Sequence, residues 1–96
     1  MFRAVVASLA LCIGCGGALP VATPVDAARS GVALAELQEG RSLVAAKCSS
    51  CHRTPQPAEH ASREWPRMID EMSRRAQVDG AQRQAIQDYL VTMAVR

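Results

Sequence analysis

The sequence predicts an all-α domain of three helices behind an N-terminal targeting segment. Apolar residues recur at helical spacing in three stretches of the body, and no stretch alternates as a half-buried strand would. With 96 residues, the chain can hold one small domain. A domain of this size is marginally stable without a staple, metal or cofactor. Because it has only one Phe, one Trp and one Tyr, we expect a non-protein group to fill part of the core.

The charge balance says little about partners. The formal net charge is +2, from 11 basic and 9 acidic side chains that are spread along the chain. Neither a nucleic acid nor a membrane surface is therefore expected as the main partner.

Residues 1–31 are predicted to be an export segment followed by a flexible linker, and residues 32–96 to be the functional domain. The chain begins with a single basic residue, Arg3, an apolar run from Ala4 to Ile13, and then small residues. This is the layout of a secretory signal, so we expect an exported protein. Residues 16–31 contain two prolines and three glycines without a helical period, which indicates a tether or a cleaved remnant.

Three processing sites stay open from the sequence. The stretch "LCIGC" is similar to the lipobox of bacterial lipoproteins, and lipidation of Cys15 would anchor the protein to a membrane. The lipobox has an aliphatic residue where this chain has Cys12. Small residues also permit a cut after Ala18 or after Ala27. An uncleaved anchor is disfavoured, because glycines and a proline fill the second half of the apolar stretch.

The first predicted helix runs from Val32 to about Ser49, with Gly40 in its middle. Glycine costs about 1 kcal/mol relative to alanine inside a helix. We therefore expect Gly40 to serve a close approach by another helix.

Two further helices follow a proline-rich loop. Ser62 is the predicted N-cap of a helix that ends near Arg75. Asp79 and Gln82 predict a capping box at the start of the last helix. The predicted apolar faces comprise Trp65, Ile69 and Met72 on the first of these helices, and Ile86, Tyr89, Leu90 and Met93 on the second.

Residues 48–52 read Cys-Ser-Ser-Cys-His, and three kinds of site use such residues. Zinc could take Cys48, Cys51, His52 and His60, but structural zinc sites usually pair two knuckles at longer spacing. Dithiol exchange through C-x-x-C needs a strand-containing fold that this chain does not predict. C-x-x-C-H is also the attachment pattern of c-type haem, which we favour because it agrees with the export signal and the scarcity of aromatic residues.

With these residues, the body resembles the small monohaem class I-type cytochromes c of the bacterial periplasm. The resemblance runs from about Leu34 to Ala94 and rests on "GRSLVAAKCSSCH", "EWPRMIDEM" and "QAIQDYL". It implies three helices wrapped around one haem c. It also implies that Cys48 and Cys51 form thioethers with the haem and that His52 is the proximal iron ligand.

The resemblance also implies roles on the far side of the haem and at the helix crossing. A methionine shortly before the last helix is usually the second protein ligand of the iron. Met72 fits that position, with Met68 and His60 as alternatives. Trp65 is expected to pack on the haem or to donate to a propionate. In this family, a glycine eight residues before the first cysteine lets the first and last helices cross, which predicts that Gly40 meets Ile86 and Tyr89.

The function implied is single-electron transfer by a carrier or an electron-transfer subunit, and not catalysis by this chain. The implied partners are redox proteins, namely a periplasmic dehydrogenase, an oxidase or another cytochrome. The alternative is a gas-binding or peroxide-reactive haem with a labile sixth ligand, for which His60 and Arg63 are the available distal residues.

Overall fold

A computed structural model describes residues 18–48 and 53–94, and these residues contain helices and loops but no strand. The prediction of an all-α fold is therefore confirmed over the described part, although four α-helices replace the expected three. None of the described helices is long and apolar enough to cross a bilayer. The helices are α1 (Pro24–Ser30), α2 (Leu34–Leu43), α3 (Trp65–Ala76) and α4 (Gly80–Ala94), with a π-helical turn at Val44–Cys48 and 3-10 turns at Pro57–Glu59 and Ser62–Glu64.

Helix α1 occupies part of the stretch predicted to be a flexible linker, so the structure differs from that prediction. Its caps are local: the amide and hydroxyl of Thr23 donate to the Asp26 carboxylate, at 2.9 and 3.1 Å, and Pro24 holds the first helical position. The helix ends at Gly31, whose φ of 77° is left-handed. Asp26 is buried and also accepts a 2.9 Å bond from Arg29.

The segment that contains α1, residues 19–30, packs on the body of the domain, and we call it the N-terminal strap. The Arg41 guanidinium on α2 donates to the carbonyl oxygens of Leu19 and Pro20, at 2.9 and 3.1 Å. The hydroxyl of Tyr89 on α4 donates to the same Pro20 carbonyl. Leu19 and Ala22 are buried in the hydrophobic core, so the strap is a packed element of the fold.

Helices α2 and α4 form the most extensive helix pair, and they cross at Gly40. A Cβ atom added to Gly40 would lie 2.6 Å from the Cβ of Tyr89 and would collide with the carbonyl oxygen of Ala85. The predicted close approach is therefore confirmed for Tyr89. Ala85, rather than the predicted Ile86, makes the second contact, because the backbone of α4 at Ala85 faces the glycine.

Helix α3 begins later than predicted. The hydroxyl of Ser62, the predicted N-cap, donates instead to the carbonyl of Val91 on α4, at 3.1 Å. A 3-10 turn therefore leads into the helix at Trp65, and Glu64 closes this turn by accepting from the Ala61 amide. The tertiary bond to α4 replaces the local cap.

Helix α4 begins as predicted, and its apolar face completes the core. The Gln82 amide donates to the Asp79 carboxylate at 2.7 Å, and the Asp79 amide donates to the Gln82 side chain at 3.0 Å. The buried hydrophobic residues are Leu19, Ala22, Leu37, Leu43, Val44, Trp65, Ile69, Ala85, Ile86, Tyr89, Leu90 and Met93.

Candidate functional site

An apolar cavity opens where the π-helical turn, α3 and α4 meet. The space between its walls amounts to about 230 Å³, part of which is open to solvent, and its exposed lining is apolar. The described residues that line it are Cys48, Ile69, Met72, Ser73, Ala76, Val78 and Ile86. Two sulfur atoms of different chemistry, a thiol and a thioether, therefore share one apolar space.

Cys48 reaches this cavity from the end of the π-helical turn that follows α2. Single π-helical turns occur frequently at functional sites. The residue is half-buried, and this burial raises the pKa of the Cys48 thiol. A raised pKa leaves less thiolate for dithiol exchange, so the local environment disfavours that interpretation of the motif.

Met72 lines the cavity together with Cys48, whereas Met68 does not. Both methionines are on α3 and both are partly buried against the core. They are four residues apart, about one helical turn. The cavity therefore distinguishes two methionines that the sequence places on nearly the same helix surface.

Trp65 and His60 pack against each other, and neither lines the cavity. Trp65 is fully buried, and its indole N–H donates to the carbonyl of Pro57 at 3.0 Å. In the described structure the indole N–H is therefore bonded to a backbone carbonyl, and the packing of Trp65 on a haem or its donation to a propionate stays a prediction. The His60 ring meets the indole edge to face, with centroids 5.0 Å apart, and its Nδ1 is 3.9 Å from the Glu64 carboxylate.

Two predicted site residues, Cys51 and His52, lie outside the described residues. Among the residues that the structure does describe, no group of three or more His, Cys, Asp or Glu side chains could hold a metal ion. The lining is chemically compatible with an apolar group attached through Cys48, because its exposed surface is apolar and Met72 offers a thioether sulfur to a metal. The chemistry of the lining thus agrees with the haem interpretation.

Sequence reasoning missed two features of this region. The Pro57 carbonyl that holds Trp65 belongs to a loop, and no local pattern identifies it. Two of the wall residues, Val78 and Ile86, come from different elements, namely the turn before α4 and α4 itself. Ile86 lies on an apolar helix face that the sequence indicated, whereas Val78 had no such signal.

A family model described as dihaem cytochrome c matches residues 44–96, which is more than half of the chain. No curated protein and no solved structure matches. The match includes the C-x-x-C-H motif, Met72 and α4, and it confirms a c-type cytochrome. The matching family is a dihaem one, whereas the sequence resemblance was to a monohaem family, and this sequence contains one C-x-x-C-H motif.

Proposed function

The chain belongs to the dihaem cytochrome c family, a class of electron-transfer haem proteins. We propose that this chain carries a single haem c. C-x-x-C-H is the attachment pattern of c-type haem, and the sequence contains the motif once, at residues 48–52. Its remaining cysteines, Cys12 and Cys15, have no histidine after them.

Cys48 and Cys51 would hold the haem through thioether bonds, each formed when an S–H adds across a vinyl group. His52 would be the proximal iron ligand. The position of Cys48 at the wall of the apolar cavity supports this assignment. The raised pKa of its thiol agrees with a residue that is covered rather than solvated.

Met72 would be the distal ligand, and one observation carries this assignment: Cys48 and Met72 line the same apolar cavity. The bound haem would supply reversible one-electron chemistry at its iron. A methionine thioether and a low-polarity surrounding both raise the reduction potential. Ile69, Val78 and Ile86 would exclude water from that side of the site.

With His52 and Met72 both bound, no position is left for a substrate, and this supports a role in electron transfer without catalysis. The export pattern at the N-terminus supports a periplasmic location for this role. The partners would then be redox proteins such as a dehydrogenase, an oxidase or another cytochrome.

The test compares Met72→Ala with Met68→Ala, using the visible and near-infrared spectra of the oxidised holoprotein. Met72→Ala should lose the sulfur-to-iron charge-transfer band, and its reduced form should bind carbon monoxide promptly. Met68→Ala removes the same side chain one turn away and should keep the band. Survival of the band in Met72→Ala, or its loss in Met68→Ala alone, would refute the assignment.

Two measurements on the wild-type protein test the rest of the proposal. The intact mass should exceed that of the processed chain by one haem, and a gain of two haems or none would contradict the proposed stoichiometry. Prompt binding of carbon monoxide by the reduced wild-type protein at neutral pH would favour the gas-binding alternative. No observation in the described structure favours that alternative, because His60 packs on Trp65.

A further inference from the structure

The N-terminal strap is bound to the domain by its backbone from its first residue. The carbonyl of Leu19 accepts two hydrogen bonds from the Arg41 guanidinium, at 2.9 and 3.1 Å. The carbonyl of the next residue, Pro20, accepts from Arg41 and from Tyr89. The side chain of Leu19 is 5% exposed, whereas Ala18 is exposed. Of the residues described from Ala18 onwards, Leu19 is therefore the first that is buried and hydrogen-bonded to the domain.

A cut after Ala27, which small residues also permit, would divide helix α1. It would remove Leu19 and Ala22 from the core, together with the Thr23 cap. It would also remove Asp26, which is 3% exposed and accepts from Arg29, itself bonded to the carbonyl of Thr92 at 2.9 Å. The product would have lost part of its hydrophobic core.

We propose that the export peptidase hydrolyses the Ala18–Leu19 bond, so that the mature protein begins at Leu19 and keeps the strap. Water adds across this peptide bond, leaving a carboxylate on Ala18 and an amino group on Leu19. Gly16 and Ala18 supply small residues at the third and first positions before the cut. This cut keeps every residue of the described core, and the proposal does not depend on a bound haem.

Expression of the full chain in a bacterium that exports and matures c-type cytochromes tests the proposal directly. N-terminal sequencing and intact mass of the purified protein should both identify Leu19 as the first residue. A first residue of Ala28, a lipid-modified Cys15 or an uncut Met1 would each overturn it.

Two matched lysine substitutions sharpen the test, because each alters the third position before one of the rival cuts. Gly16→Lys should abolish or displace the Leu19 product. Val25→Lys, on a side chain that is 71% exposed, should leave the N-terminus at Leu19. An unchanged product from Gly16→Lys, or a displaced cut in Val25→Lys, would contradict the proposal. If Gly16→Lys does not accumulate, the wild-type N-terminus still decides the question.

Discussion

Replacing Gly40 by alanine should destabilise the protein through the crossing of α2 and α4. The new Cβ would lie 2.6 Å from the Cβ of Tyr89 and 2.9 Å from the carbonyl carbon of Ala85, whereas ordinary contact begins at 3.4 Å. Since both neighbours are fixed to the backbone of α4, the two helices must separate. Overpacking of this kind costs about 1–3 kcal/mol, and we expect the upper end. The higher helix propensity of alanine offsets about 1 kcal/mol of this cost, so the free energy of unfolding should fall by about 2 kcal/mol.

Denaturant unfolding of the holoprotein, followed by far-UV circular dichroism, measures this loss. In a thermal scan, the same change should lower Tm by about 8–16 °C for a domain of this size. Gly80→Ala is the matched control, because an added Cβ there meets nothing within 4 Å. If Gly40→Ala were as stable as Gly80→Ala, the close crossing would not exist and the argument would fail.

Two further predictions concern other described contacts. A side-chain hydrogen bond to Asp88, followed by desolvation and nearby acidic charge, raises the pKa of Glu36 above 4.5. The folded protein therefore binds this proton more tightly than the unfolded chain does, and the associated stability is present below pH 4.5 and is lost as pH rises through the raised pKa. Glu36→Gln should then gain stability relative to wild type as pH rises in urea titrations, and a stability difference that does not change with pH would contradict this. Trp65→Phe would leave the Pro57 carbonyl without its 3.0 Å donor and should cost about 2–3 kcal/mol; a loss below about 1 kcal/mol in the same assay would show that water replaces the indole.

The elements that the sequence predicted well are those set by neighbouring residues. The capping box of Asp79 and Gln82 is local, and the structure contains it. Helix α1 has the same kind of signal, since Thr23 and Asp26 are also three residues apart, but the surrounding prolines and glycines favoured a linker. Ser62 shows the opposite case, because a tertiary bond to the carbonyl of Val91 displaces a plausible local cap.

In the candidate site, too, local features could be predicted from the sequence, whereas those set by tertiary contacts could not. Helical spacing placed Met72 on the apolar face of α3, but Met68 lies close to that face, so periodicity could not separate them. Which of the two methionines shares the cavity with Cys48 depends on the position of Cys48. A π-helical turn with no clear sequence signal sets that position. The acceptor for Trp65 could not be read from the sequence either, because indole N–H groups bond to whatever buried oxygen the fold brings near.

The bond from Tyr89 to the carbonyl of Pro20 joins residues 69 positions apart. Pro20 is made long before Tyr89, so this bond cannot form until the last helix has been made, although Arg41 is already available to the strap. Cys48, which shares its cavity with Ile86 of α4, likewise leaves the ribosome before the wall that covers it. The order of synthesis therefore leaves Cys48 uncovered first, and closure of the fold around it waits for the last helix.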